Sequence, residues 1–146
     1  MGAALAALGL IPDSILTSTA MRARETARLV AAAMEYRGTI VEEPDLYAAS
    51  VDTLLGALRD YDEEKTLLLV GHNPGLEELV CLLTGGVDAE PIVRLPTAGL
   101  ACLALDIEGW SQLLPECGLL HWFLTPRIVS PLLHASRDHA DEKDND

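Results

Sequence analysis

Residues 66–79 read Thr-Leu-Leu-Leu-Val-Gly-His-Asn-Pro-Gly-Leu-Glu-Glu-Leu, so a strand pattern changes to a helix pattern within one short turn. The unbroken apolar run is typical of a strand buried on both faces of a parallel sheet. Asn-Pro is a typical helix start. Parallel sheets bind ligands at the carboxyl ends of their strands, beside helix N-termini that attract anions, so His72 is a candidate anion ligand. A structural role, in which the imidazole bonds a loop carbonyl, fits this segment equally well.

A second strand-to-helix turn lies at residues 14–28, Ser-Ile-Leu-Thr-Ser-Thr-Ala-Met-Arg-Ala-Arg-Glu-Thr-Ala-Arg. Its arginines fall in the first turns of the predicted helix, where cations oppose the helix dipole. A bound anion would account for Arg22, because a guanidinium matches phosphate oxygens bidentately. Arg24 and Arg28 are four residues apart, and we interpret them as solvated surface charges.

Together the two turns carry a family resemblance. The pattern Ser-x-x-x-Arg-Ala-x-x-Thr-Ala at residues 18–27, followed by Gly-His-Asn-Pro at 71–74, resembles the histidine phosphatase superfamily. The short spacing between the two motifs, and Pro-Thr-Ala-Gly at 96–99 before a Leu/Ala-rich strand, are most similar to its small phosphohistidine phosphatase branch. The likeness covers about residues 2–125.

The resemblance implies two-step phosphoryl transfer through a phosphohistidine, with Arg22 and His72 as catalytic residues that hold the phosphoryl oxygens. Ser18 and Asn73 stand in the matching turns and are expected to bind phosphate as well. No cofactor or metal is implied. The expected partner is a protein that carries phosphohistidine, and the alternative substrate is a small phosphomonoester.

The family's nucleophile is the histidine of an Arg-His-Gly tripeptide, which does not occur in the 146 residues. Residues 1–10 read as the later half of the family's first helix. The resemblance therefore predicts that the nucleophile-bearing strand lies upstream of Met1 and that the printed chain alone is inactive. His121, in a late strand-like run, and His134 and His139, in a polar tail, do not replace it by position. A non-catalytic phosphate- or phosphohistidine-binding module is the alternative function.

Many relatives that act on sugar phosphates also place a carboxylic acid to protonate the leaving alkoxide. Glu42, Glu43 and Asp45 are candidates for this acid, but they read equally well as a solvated strand end and turn. An imidazole leaves far more readily than an alkoxide. Because the sequence indicates a general acid only weakly, it favours phosphohistidine on a protein as the substrate. Serine hydrolysis is poorly supported, because the sequence has no Gly-x-Ser-x-Gly elbow.

The net charge of −13 argues against nucleic acid as a partner. An anionic substrate then requires a local positive pocket, which Arg22, a helix N-terminus and His72 could form. No apolar run reaches the ~18 residues of a membrane helix, and the alanine-rich start has no basic n-region. We therefore expect a cytoplasmic protein without membrane association.

Alternating strands and helices predict an α/β fold of three layers, with a mostly parallel sheet flanked by helices and an antiparallel C-terminal edge. We expect one histidine-phosphatase-like domain at residues 1–128, N-terminally incomplete, and an acidic, disordered tail at 129–146. In the second helix a core-facing stripe is predicted, and Gly38 is expected to close that helix. The predicted elements are a helix remnant (2–9), strand (14–17), helix (20–36), strand (39–42), helix (51–60), strand (66–70), helix (74–84), strand (100–107) and strand (119–124).

Overall fold

The computed structural model describes the backbone of residues 1–141 and the side chains of residues 1–133. Helices and strands alternate through most of this length. In chain order they are α1 (Gly2–Ala7), β1 (Ser14–Ser18), α2 (Met21–Ala33), β2 (Thr39–Glu43), α3 (Val51–Arg59), β3 (Leu67–Val70), α4 (Gly75–Gly85), β4 (Leu100–Leu105), β5 (Gly118–Leu124) and α5 (Pro126–Asp141). Short 3-10 turns occur at Pro44–Leu46 and Trp110–Gln112.

The first three strands form a parallel sheet in the order β2-β1-β3, and β4 pairs with β5 in an antiparallel ladder. In register, Thr17 lies opposite Val70 and Ser18 opposite Glu43, so the carboxyl ends of all three parallel strands lie at one edge. The predicted α/β class and the antiparallel C-terminal pair are confirmed. That pair makes its own two-stranded sheet.

Two hydrophobic clusters lie on opposite faces of the parallel sheet. Leu16 of β1 packs with the leucines of α3 and α4 on one face, whereas Ile15 packs with α1 and α2 on the other. Neither side chain is exposed, because β1 is the central strand of the three. This arrangement gives the expected layers of helix, sheet and helix.

Helix α2 shows the predicted core stripe but ends earlier than expected. Its stripe residues are buried or half-buried, namely Ala23, Ala27, Val30, Ala31 and Met34. Glu35 takes a left-handed conformation with φ of 53°. The N–H groups of Glu35 and Tyr36 then donate to the carbonyls of Ala32 and Ala31, which satisfies the last turn. Gly38 therefore does not close the helix, and no glycine marks its true end.

Other element boundaries differ from expectation, most of them by one or two residues. Helix α4 begins at Gly75 after Pro74, and β4 ends at Leu105 instead of residue 107. Helix α5 crosses the predicted domain boundary at residue 128, and its Val129 is buried. Of the predicted tail, residues 142–146 lie outside the described residues. Within the described part of the chain, no helix has both the length and the apolarity that a membrane span requires.

Candidate functional site

Two side chains meet where β1 and β3 end. The parallel register places Thr17 beside Val70, so the turns that follow these strands leave the sheet side by side. Ser18 Oγ and His72 Nε2 lie 2.9 Å apart, within hydrogen-bonding distance, and the ring tautomer sets which atom donates. The two residues are 54 positions apart in the sequence. Parallel pairing brings them together.

The Ser18 hydroxyl also shapes the start of helix α2. It is fully buried and accepts a hydrogen bond from the N–H of Ala20 at 3.2 Å. A hydroxyl has two acceptor lone pairs and one proton, so a lone pair and the proton remain for His72 or for a ligand. The first N–H groups of a helix have no partner within it, and those of α2 begin three residues after Ser18.

Arg22 lies in the first turn of α2 and is exposed. Among the described residues, no side-chain hydrogen bond or ion pair engages its guanidinium. Its positive charge acts on His72. The exposed charge, the buried hydroxyl and the imidazole thus form one small cluster, which we call the anion site: Ser18, Arg22 and His72.

The imidazole of His72 is kept neutral by its surroundings. Burial of the ring lowers the pKa of His72 below 6.5, and the charge of Arg22 lowers it further. The ring of Tyr47 lies edge-on to it, with 6.0 Å between ring centroids and 64° between planes. An anion bound beside His72 and Arg22 would oppose both effects on the pKa. The site is therefore suited to bind negative charge and to take up a proton with it.

Asn73, the fourth predicted phosphate ligand, is engaged elsewhere. Its amide Nδ2 donates to Glu77 Oε1 at 3.1 Å and to the Leu95 carbonyl at 2.8 Å. Glu77 Oε1 also accepts from the Leu95 N–H at 2.7 Å. Asn73 thus holds the segment before β4 against the start of α4, and a role in phosphate binding stays a prediction.

The three carboxylates considered as a general acid differ in their contacts and exposure. Glu42 forms ion pairs with Arg24 at 3.1 Å and with Arg28 at 3.7 Å. Glu43 accepts a hydrogen bond from Tyr61 at 3.4 Å. Asp45 is exposed in the 3-10 turn after β2.

Arg28 is exposed and Arg24 is half-buried, and both pair with Glu42, a partner that their spacing did not predict. His121 lies on β5, in the other sheet.

Sequence reasoning missed two residues of this region. Tyr47 follows the turn after β2, and nothing in its local pattern indicates that it reaches His72. Glu77 connects Asn73, Leu95 and Arg94, the last at 3.7 Å. The spacing of four between Asn73 and Glu77 is a pairing signal that could have been used.

A known protein is similar to this chain over most of its length. The chain is 35% identical over 122 residues to the uncharacterized protein ML1117 of Mycobacterium leprae (strain TN), which covers 79% of this chain and 72% of that protein. No protein-family model matches it.

Three solved structures share the fold. The protein histidine phosphatase SixA complexed with tungstate superposes with a TM-score of 0.72 at 21% identity, over 88% of this chain and 78% of that one. The protein assigned as phosphohistidine phosphatase SixA from Agrobacterium tumefaciens gives 0.70 at 29% identity, over 86% and 75%. The corresponding protein from Nakamurella multipartitia gives 0.68 at 22%, over 86% and 79%.

Proposed function

Because this chain belongs to the histidine phosphatase superfamily, we propose that it serves phosphoryl transfer through a phosphohistidine intermediate and acts on phosphohistidine carried by a protein. Phosphatase function at the level of the family is supported by its structural neighbours. We also propose the identity of the substrate, the roles of the site residues and a cytoplasmic location.

The observation that carries the proposal is the anion site itself. Ser18 and His72 lie 2.9 Å apart at the carboxyl ends of adjacent parallel strands, and Arg22 acts on the same imidazole from the first turn of α2. Fixed donors and a cation are the groups that stabilise a phosphoryl group in transfer. Because the chain carries −13 overall, a phosphorylated ligand needs a local positive charge such as that of Arg22.

The reaction we propose has two steps. In the first, a histidine nitrogen attacks phosphorus in line and an N–P bond forms. The bond to the leaving imidazole breaks, and that imidazole takes up the proton that the attacking imidazole gives up. In the second, water attacks the phosphohistidine, inorganic phosphate leaves, and a proton from water returns to the enzyme's imidazole. In this proposal His72, which lies beside Ser18, stabilises the phosphoryl oxygens together with Arg22. The attacking histidine comes from outside the 146 residues in this proposal.

The carboxylates support phosphohistidine over a small phosphomonoester. An alkoxide leaving group needs an acid, and Glu42 is occupied by two arginines while Glu43 accepts from Tyr61. An imidazole leaving group needs such an acid less. A small phosphomonoester remains the alternative substrate, with Asp45 as the exposed carboxylate available to it.

A non-catalytic phosphate- or phosphohistidine-binding module is the second candidate function. It is favoured by the content of the anion site, where the described residues supply binding groups and one histidine, and that histidine contacts Ser18. Both candidate functions require anion binding, but only the phosphatase would turn over its substrate.

The first test is anion binding by calorimetry with tungstate as the probe. We expect the full chain to bind it, and Arg22→Ala to weaken binding by about 1.5–3 kcal/mol, the usual contribution of a charged hydrogen bond. Arg24→Ala is the matched control, because that arginine is also on α2 but pairs with Glu42. Equal effects of the two substitutions would contradict the site.

The second test is turnover. We expect no phosphatase activity above background from the 146-residue chain. A longer form with an upstream strand that ends in Arg-His-Gly should release phosphate from a phosphohistidine protein through an acid-labile phosphoenzyme. In that form Arg22→Ala should cost ~2–4 kcal/mol of transition-state stabilisation. Robust turnover by the short chain that survives His72→Ala would refute this mechanism.

A further inference from the structure

A second cavity lies beside the anion site and is lined by positive charge. Its volume is about 620 Å³, and its walls carry Arg94, Thr97, Thr125 and Arg127 and are otherwise apolar. We call it the arginine cavity. Guanidinium and hydroxyl groups are donors that recognise carboxylates and phosphates. The chain carries −13 overall, so two arginines on one cavity reverse the charge locally.

Leu95 connects the arginine cavity to the anion site. It lines the cavity, and its carbonyl accepts a hydrogen bond from Asn73 Nδ2 at 2.8 Å. Its N–H donates to Glu77 Oε1 at 2.7 Å, so both polar groups of its backbone are held. Asn73 follows His72 directly. The cavity wall is therefore one residue and one hydrogen bond away from the imidazole, roughly 10 Å.

The strand directions place the other wall of the cavity at the same edge. Leu95, before β4, contacts Asn73, after β3. Trp110, after β4, donates from Nε1 to the carbonyl of Glu64, before β3, at 2.7 Å, so β3 and β4 run in opposite directions. Strand β5 is antiparallel to β4 and therefore runs in the direction of β3. The residues that follow β5, Arg127 among them, thus lie at the edge where β3 ends.

The turn before β4 fixes one wall of the cavity. The Gly99 N–H donates to the Pro96 carbonyl at 2.7 Å, and Ala98 has a φ of 58°, as in a type II turn. A Cβ at Gly99 would lie 2.9 Å from that carbonyl oxygen, so the turn is tightly closed. Thr97 lies within this turn, is exposed and lines the cavity. The Pro-Thr-Ala-Gly motif therefore presents Thr97 to a ligand in the cavity.

The polar side chains of the cavity can bind a ligand. In the part of the chain whose side chains the structure describes, no hydrogen bond or ion pair engages the side chains of Thr97, Thr125 or Arg127. Arg94 pairs with Glu77 at 3.7 Å, but the Arg94 side chain is 87% exposed. Most of its five N–H donors can therefore still reach an anion.

Binding in the cavity depends mainly on these side chains and not on the start of α5. Pro126, the first residue of that helix, has no N–H. The N–H groups of Ile128 and Val129 already donate to the Thr125 carbonyl at 3.0 Å and 3.1 Å. Single substitutions of the arginines therefore remove most of what the cavity offers to an anion.

We propose that the arginine cavity binds glutamate or aspartate side chains of the phosphorylated partner protein, about three or four residues from its phosphohistidine. An extended segment covers about 3.3 Å per residue, so this spacing spans the roughly 10 Å to His72. A cavity that combines apolar walls with a few donors suits a side chain with a methylene stem and a charged end. The identity of the partner rests on the proposed function, whereas the cavity, its charge and its position do not.

Calorimetry with the full chain and phosphoserine peptides tests this proposal. The peptide acetyl-Ala-pSer-Ala-Ala-Glu-Glu-Ala-amide is compared with one that carries Gln-Gln in place of Glu-Glu. Phosphoserine supplies a phosphate that is not labile. We expect the Glu peptide to bind about five- to tenfold more tightly at ~20 mM salt. The difference should shrink at about 0.5 M salt, because salt screens exposed charges.

The variant Arg127→Gln locates the binding. It should lose most of the preference for the Glu peptide and bind the Gln peptide as the unaltered chain does, which also shows that it is folded. Arg127→Lys should retain much of the preference, because it keeps the charge. Arg37→Gln is the matched control: Arg37 is exposed and precedes β2, at the opposite edge of the sheet, so its loss should leave the preference unchanged.

Equal affinity of the unaltered chain for the Glu and Gln peptides would overturn the proposal. An equal loss of preference in Arg127→Gln and Arg37→Gln would also overturn it, because the preference would then follow net charge alone. If the affinity for inorganic phosphate fell as much in Arg127→Gln as that for the Glu peptide, the cavity would be a general anion site, and the assignment to carboxylates would fail. A preference for glutamate that needs Arg127 but does not change on removal of the phosphate or in Arg22→Ala would keep the carboxylate site and contradict the proposed function.

Discussion

At the scale of single residues, His72 is the group whose protonation an anion would change. Burial and Arg22 hold its pKa below the ordinary 6.5, so the free protein keeps the ring neutral near pH 7. A bound anion favours the imidazolium and raises that pKa. By linkage, anion affinity must then increase as the pH falls towards the pKa of the free protein.

Sulfate tests this linkage, because it does not titrate between about pH 8 and pH 5, the range in which histidine does. We expect its affinity for the full chain to rise as the pH falls below 6.5. His72→Gln should give weaker binding that does not change with pH, since glutamine keeps a hydrogen-bond donor and cannot titrate. Calorimetric titration at several pH values measures both. An unchanged slope in His72→Gln would assign the proton to another group.

Asp13 is a second residue with a displaced pKa. Its carboxylate accepts from the N–H groups of Thr66 at 2.9 Å and Lys65 at 2.8 Å, which fixes the entry to β3. These bonds hold the pKa of Asp13 below 3.8. A lowered carboxyl pKa contributes stability above the unfolded value, and that stability is lost as the pH falls through the folded value.

We therefore expect Asp13→Asn to lower the melting temperature at about pH 7 and to have less effect below the ordinary pKa of 3.8. Asparagine preserves an acceptor oxygen of the same size, so the difference in melting temperature measures the effect of the negative charge. Thermal unfolding at the two pH values is the measurement, and Asp45→Asn, an exposed aspartate in the turn after β2, serves as the control. A pH-independent difference would indicate a packing effect instead.

At the scale of elements, two helix glycines occupy opposite environments. A Cβ at Gly56, on the exposed face of α3, meets no atom within 4 Å. A Cβ at Gly75, the first residue of α4, would lie 2.6 Å from the Ala49 carbonyl oxygen. The start of α4 thus packs directly on the backbone before α3, close to His72 in sequence.

Gly56→Ala should raise the free energy of unfolding by about 0.5–1 kcal/mol, because alanine loses less backbone entropy in a helix. Gly75→Ala should lower it by about 1–3 kcal/mol through overpacking. Denaturant unfolding of both variants gives the two values side by side. A stabilising Gly75→Ala would mean that α4 can move away from Ala49.

Sequence patterns predicted the strands and helices that carry the site, but they predicted the ends of these elements less well. The strand-to-helix turns after β1 and β3 could be predicted because an apolar run, a polar turn and a helix pattern are all local signals. The end of α2 could not, since Glu35 adopts a left-handed conformation that glycine usually marks. Tyr47 was missed for a different reason, because its contact with His72 depends on how two turns lie in space.

At the scale of the whole molecule, the α/β class followed from the alternation of strands and helices. The division into two sheets did not, because pairing between distant strands leaves no local trace in β3 or β4. Their apolar sequences are the same whether an edge is paired or open. Within the described residues, the open edges of β3 and β4 are therefore a property of the assembled chain.

The C-terminal region gives the last prediction, the deletion of residues 137–146. Their five acidic and two basic side chains contribute −3 to the net charge of −13. Among the described side chains of α5, residues 126–133, Val129 is the buried one, and the deletion retains it. We expect the melting temperature to change by no more than about 4 °C, the scale of roughly 1 kcal/mol. Val129→Ala should have the larger effect, about 1–3 kcal/mol, because it removes buried methyl groups. A large loss on deletion would instead show that the last turns of α5 pack on the domain, and the boundary predicted at residue 128 would then have to move towards the C-terminus.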